Sequence, residues 1–134
     1  MIAADTSVVV AAFASWHEHH EAARAGLAQG VRLIGHVALE TMAVLTRLPW
    51  PHRAPAVLVA RFIGSSFRGP VLGLAGERYQ ELVADLAARS IVGGAVYDAL
   101  VGAVAADAGA TLLTLDRRAL PVYEALGVDV HVLA

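Results

Sequence analysis

The chain has 134 residues, no cysteine and no lysine, and its ten arginines face twelve acidic residues for a net charge of −2. That length allows one domain, residues 1–134, with a core of its own. The composition excludes disulfides, thiol catalysis, cysteine zinc sites and every lysine-dependent mechanism, among them the P-loop and the Schiff base.

Apolar strand-like runs alternate with helical ones along the chain, the pattern of a βαβ sheet. Ile2 to Ala4 reads as a buried strand, and Thr6 and Ser7 as caps of a helix running through Ala14, continued or restarted at His19 to Ala28. Gly30 closes that unit. Arg32 to Ile34 reads as a second strand and Val37 to Leu48 as a helix stopped by Pro49 and Pro51. Pro55 opens another helix to about Ile63, Gly64 to Gly69 reads as a loop, and Val71 to Leu74 as a weak strand. Gly76 to Arg89 is amphipathic, with Leu82, Val83 and Leu86 on one side. Gly93 and Gly94 precede a helix from Ala95 to Asp107, which Gly109 ends. Thr111 to Leu115 reads as a strand, Arg117 to Leu126 as a short helix and Val128 to Leu133 as a last strand.

Mean hydropathy is high, at +0.61. The longest apolar stretch, Ser90 to Ala106, nevertheless carries Asp98, which costs ~2.5–3.5 kcal/mol at the centre of a bilayer. A buried core helix is expected instead. With Asp5 where a signal peptide needs positive charge, the reading is a soluble cytoplasmic protein with no membrane partner.

Four acidic residues stand out against this background. Asp5 and Asp116 each follow a parallel-type strand, and ligand sites in open parallel sheets form beyond the carboxyl ends of the strands. Glu40 and Asp98 lie in helical segments so apolar that an isolated charge is poorly solvated there. Two carboxylates ~5 Å apart repel by roughly 3 kcal/mol at an effective dielectric near 20. Four together stay ionised only with cations between them, and Mg²⁺ or Mn²⁺ suits an all-oxygen site. Setting these four aside leaves eight acidic residues against ten arginines, so charge permits an RNA substrate without demanding one.

The ordered set Asp5-Thr6-Ser7, Glu40 followed by Arg47-Leu48-Pro49, Tyr97-Asp98-Ala99-Leu100 and Leu115-Asp116-Arg117 resembles the acidic signature of PIN-domain nucleases, and most of all the VapC-like toxins of bacterial toxin–antitoxin pairs. The resemblance covers essentially the whole chain. It implies a three-layer α/β/α sandwich around a central, mostly parallel sheet. It further implies that Asp5, Glu40, Asp98 and Asp116 hold one or two Mg²⁺ or Mn²⁺ ions, with Thr6 and Ser7 as supporting hydroxyls, for endonucleolytic cleavage of RNA by metal-activated water. Homodimers, a cognate antitoxin whose tail blocks the acidic groove, and operator DNA bound only through that antitoxin belong to the same expectation. Arg117 and Arg118 are candidate contacts to substrate phosphates, because arginine offers a bidentate fork.

Structural alternatives stand beside these roles. Asp5 and Asp116 suit helix caps, Glu40 a solvated helix edge, and Asp98 a buried pair with an arginine. His17, His19 and His20 read as surface histidines rather than a transition-metal cluster, and Trp16, Trp50 and Phe67 as packing residues. Two other functions remain open: a non-catalytic PIN-like module that binds protein or RNA, and a metal-dependent phosphatase of the haloacid dehalogenase kind. The phosphatase would need a second aspartate at the position of Ser7, and a lysine.

Overall fold

A computed structural model describes all of residues 1–134. Its sheet has three parallel strands, β1 (Ile2–Ala4), β2 (Thr111–Thr114) and β3 (Asp129–Val132), in that order across the sheet. Ala4 pairs with Leu113 and Leu113 with His131, which sets the register. Two isolated parallel bridges extend the array beyond β1, from Ala3 to Arg32 and from Ile34 to Leu72. The segments Arg32 to Ile34 and Val71 to Leu74 thus lie where strands are expected but form single bridges.

Seven helices surround the sheet: α1 (Thr6–Phe13), α2 (His20–Leu27), α3 (Gly35–Thr46), α4 (Ala56–Ser65), α5 (Gly76–Ala88), α6 (Ala95–Asp107) and α7 (Leu120–Ala125). Successive strand residues point to opposite faces, yet Leu112 and Leu113 are both fully buried, as are Ala3 and Ala4. Both faces of the sheet are therefore covered, giving the expected three layers. The main core joins Val8 and Val9 of α1, Ala23 and Leu27 of α2, Val101, Val104 and Ala105 of α6, and Tyr123 of α7 to these strand residues.

Local chemistry sets the ends of the elements. The Asp5 side chain accepts from the Val8 N–H and caps α1, and Pro55, with φ −63°, stands just before α4 rather than inside it. Helix α4 runs through Gly64 and Ser65, which the sequence had suggested as loop; the Ser65 hydroxyl donates back to the Arg61 carbonyl, a helical contact. Helix α6 stops at Gly109, whose φ of +66° suits a residue without a Cβ. A 3-10 turn at Arg117–Ala119 precedes α7, so the single helix expected there is split. No helix is long and apolar enough to cross a membrane.

Candidate active site

Asp5 follows β1 directly, and its N–H donates to the Leu113 carbonyl at 3.0 Å. The residue is 5% exposed. Four donors reach its carboxylate. The Ser7 hydroxyl and, at 3.4 Å, the Val8 N–H approach Oδ1, while the Thr114 hydroxyl and, at 2.9 Å, the Tyr123 hydroxyl approach Oδ2. Two of these hydroxyls are oriented from behind, because the Leu115 N–H donates to Ser7 Oγ and the Asp116 N–H to Thr114 Oγ1, each at 2.9 Å. Those backbone donors direct both protons to Asp5, an environment made for an ionised, acceptor-only carboxylate. Burial raises the Asp5 pKa above the ordinary carboxylate value, and the hydrogen bonds from Ser7, Thr114, Tyr123 and Val8 offset part of that rise.

Glu40 comes from α3, where the Thr6 hydroxyl donates to Oε1 and His36 Nε2 lies 3.8 Å from Oε2. Asp98 sits in the first turn of α6. There the helix macrodipole favours a negative charge. Its pKa is nonetheless raised, first by burial and next by repulsion from Asp116, with Glu40 and Asp5 adding to the rise and Arg118 opposing it. Asp116 accepts the Arg118 N–H at 3.1 Å and so caps the 3-10 turn, and it pairs with the Arg118 guanidinium at 3.2 Å. That pairing raises the Arg118 pKa.

All four carboxylates line one cleft of about 520 Å³ at the carboxyl ends of β1 and β2, and Thr6, Ser7, Arg118 and Tyr123 line it with them. Arg117 turns away and donates to the Ala134 carbonyl at 2.7 Å. The supporting hydroxyls divide the work, with Thr6 on Glu40 and Ser7 on Asp5. Thr114 and Tyr123 escaped the sequence reading. Thr114 lies in an apolar strand and Tyr123 in a short helix, and only the fold brings them to Asp5 across 109 and 118 residues of chain.

No three histidine or acidic side chains converge on one point as they stand. What favours a hard cation here is the donor chemistry. The carboxylates face one cavity, burial and then their mutual repulsion raise Asp98, and the one guanidinium among them is itself largely exposed. A dication relieves that repulsion, and oxygen ligands suit Mg²⁺ or Mn²⁺. The histidines of the α1–α2 connection form no metal cluster: His20 Nδ1 meets the Ala11 carbonyl and His17 Nδ1 accepts the His19 N–H.

The parallel sheet with acidic residues at its carboxyl edge identifies the class. The chain belongs to the PIN-domain family, whose description, PIN domain, matches residues 2–125. It is 51% identical over 133 residues to Ribonuclease VapC40 of Mycobacterium tuberculosis, in strains CDC 1551 and H37Rv, with 99% of each chain covered. It is also 42% identical over 143 aligned positions to Ribonuclease VapC27 of the same species, covering 99% of this chain and 97% of the relative.

Proposed function

We propose that this protein is a Mg²⁺- or Mn²⁺-dependent endoribonuclease and the toxin of a toxin–antitoxin pair. The observation that carries the reading is the gathering of Asp5, Glu40, Asp98 and Asp116 along one cleft at the carboxyl edge of a parallel sheet. The names of the VapC relatives, both ribonucleases, support the same activity.

A bound Mg²⁺ or Mn²⁺ would supply Lewis acidity, activating water against a phosphodiester and neutralising the leaving oxygen. The four carboxylates are the residues that would hold it. Ser7, Thr114 and Tyr123 fix the Asp5 carboxylate, and Thr6 fixes that of Glu40. Asp98 and Asp116 carry the mutual repulsion that a cation cancels. Arg118, exposed at the mouth of the cleft, is positioned to exchange Asp116 for a substrate phosphate.

The partners that go with this reading are an RNA substrate, a cognate antitoxin whose acid-blocking tail occupies the cleft, and a second copy of the chain. Operator DNA is engaged only through the antitoxin, in the cytoplasm. A homodimer would cover some of the apolar side chains left at the surface, such as Leu39, Val71 and Val83.

The deciding experiment incubates the protein with single-stranded RNA in Mg²⁺ or Mn²⁺, beside EDTA and Asp98→Asn controls, and resolves products at single-nucleotide level. Discrete cleavage lost in both controls is expected. The competing reading is a non-catalytic module that binds RNA in the same cleft. RNA bound but left intact in every metal would establish that competitor instead.

A further inference from the structure

The catalytic cleft does not end at the carboxylates. A second cavity of about 400 Å³ shares Glu40, Asp98 and Arg118 with it and continues past Gly94, Tyr97 and Val122. Tyr97 directly precedes Asp98 in the first turn of α6 and is 55% exposed. One side of the ring is already taken. His36 of α3 stacks on it with centroids 5.3 Å apart and planes 3° from parallel. The imidazole also lies against Glu40, so α3 and α6 together fix how the Tyr97 ring stands over the trough. A ring held in this way loses little freedom when a second flat group stacks on it.

We propose that Tyr97 is a platform for one unpaired nucleobase, adjoining the phosphodiester to be cut. The inference rests on the ribonuclease reading and adds a residue to it, an aromatic face for the base next to the scissile phosphate. Three observations converge on a nucleotide. The cavity has an aromatic wall for the base and small residues, Gly94 and Ala95, leaving room beside it. Arg118 supplies a cation for the phosphate on the boundary that the two cavities share. The carboxylate cluster lies next in line, one residue along the same helix. Stacking on an aromatic face is open to every base, whereas a paired base offers no free face, so the platform selects strandedness before sequence.

The test compares wild type, Tyr97→Phe and Tyr97→Ala by steady-state kinetics on a single-stranded RNA in Mn²⁺. It adds binding of the same RNA, fluorescently labelled, with Ca²⁺ replacing Mn²⁺. Loss of a base stack weakens binding by roughly 5- to 100-fold. Tyr97→Ala is therefore expected to raise KM and Kd by that factor with kcat within about threefold, and Tyr97→Phe to restore both. Circular dichroism and sedimentation velocity confirm that each variant is folded and report its oligomeric state. KM and Kd within twofold of wild type in Tyr97→Ala would overturn the platform, as would a Tyr97→Phe variant as impaired as Tyr97→Ala. A change in oligomeric state with unaltered RNA binding would also overturn it, assigning the ring to a protein interface. Wild type that neither cuts nor binds RNA would overturn the ribonuclease reading itself, a result visible before any variant is made.

Discussion

Replacing Tyr123 by phenylalanine removes a single hydroxyl from the carboxylate network. Tyr123 is 1% exposed and its hydroxyl donates to Asp5 Oδ2 at 2.9 Å. Its ring fills the space beside Gly102 of α6, where an added Cβ would stand 3.2 Å from the tyrosine ring. Phenylalanine keeps that packing, so the substitution isolates the hydrogen bond. A buried hydrogen bond to a charged group is worth ~1.5–3 kcal/mol net. Unfolding entropy of ~2.1 cal/mol/K per residue gives about 0.28 kcal/mol/K for this chain of 134 residues, which converts the loss to a fall in Tm of roughly 5–11 °C. The sign of the pH dependence follows from Asp5. Its folded pKa lies above the ordinary 3.8, and the lost donor favoured the ionised form. The difference between wild type and Tyr123→Phe is therefore largest at neutral pH and narrows as acid protonates Asp5. Thermal unfolding in EDTA at pH 7.5 and pH 5 measures both quantities. A fall in Tm below 2 °C at pH 7.5, or a difference that widens in acid, would refute the reasoning.

The raised pKa values of Asp5 and Asp98 set the behaviour of the metal-free protein. A carboxylate harder to ionise in the folded state weakens that state above its folded pKa, so Tm in EDTA is expected to rise as the pH falls through the folded values toward the ordinary 3.8; for these two groups a contribution of the opposite sign, measured as the difference from Asp98→Asn, contradicts it. Mn²⁺ at a hundred times its Kd stabilises a single native-state site by about 2.7 kcal/mol, which calorimetry reads as a rise in Tm of about 10 °C at pH 7.5. A flat titration removes the metal centre. Asp98→Asn should abolish Mn²⁺-dependent cleavage while raising Tm in EDTA at neutral pH, because the cost of burying the charge and the repulsion from Asp116, Glu40 and Asp5 go with it. An unfolded Asp98→Asn variant shows instead that the carboxylate is structural.

The sequence was most legible where one kind of local information sufficed. Two continuous apolar runs marked β1 and β2, and paired glycines with Gly109 bracketed α6. It was least legible where tertiary contact overrides local preference. Arg32 to Ile34 and Val71 to Leu74 have strand-like composition, yet each meets its neighbour through one bridge before the chain turns into α3 or toward α5. Gly64 reads as a break, but the preceding turns of α4 carry the helix through it. The acidic residues were visible because charge among apolar residues is conspicuous. Their supports were not, since threonine in a strand and tyrosine in a helix carry no mark of a partner more than a hundred residues away. Arg117 and Arg118 look equivalent in sequence. The 3-10 turn separates them, sending one to Ala134 and leaving the other at the cleft.

The anchoring of Asp5 also has a bearing on the order in which the chain is made. Asp5 is made before the two hydroxyls on its Oδ2, which follow 109 and 118 residues behind it. Strand β2, which orients Ser7 and Thr114 through the backbone just beyond it, arrives equally late. A chain without its last segments thus has only the neighbouring Ser7 and Val8 donors on Oδ1 and none on Oδ2. Full anchoring of this carboxylate is therefore a property of the finished fold alone, acquired only when β2 and α7 have docked on β1.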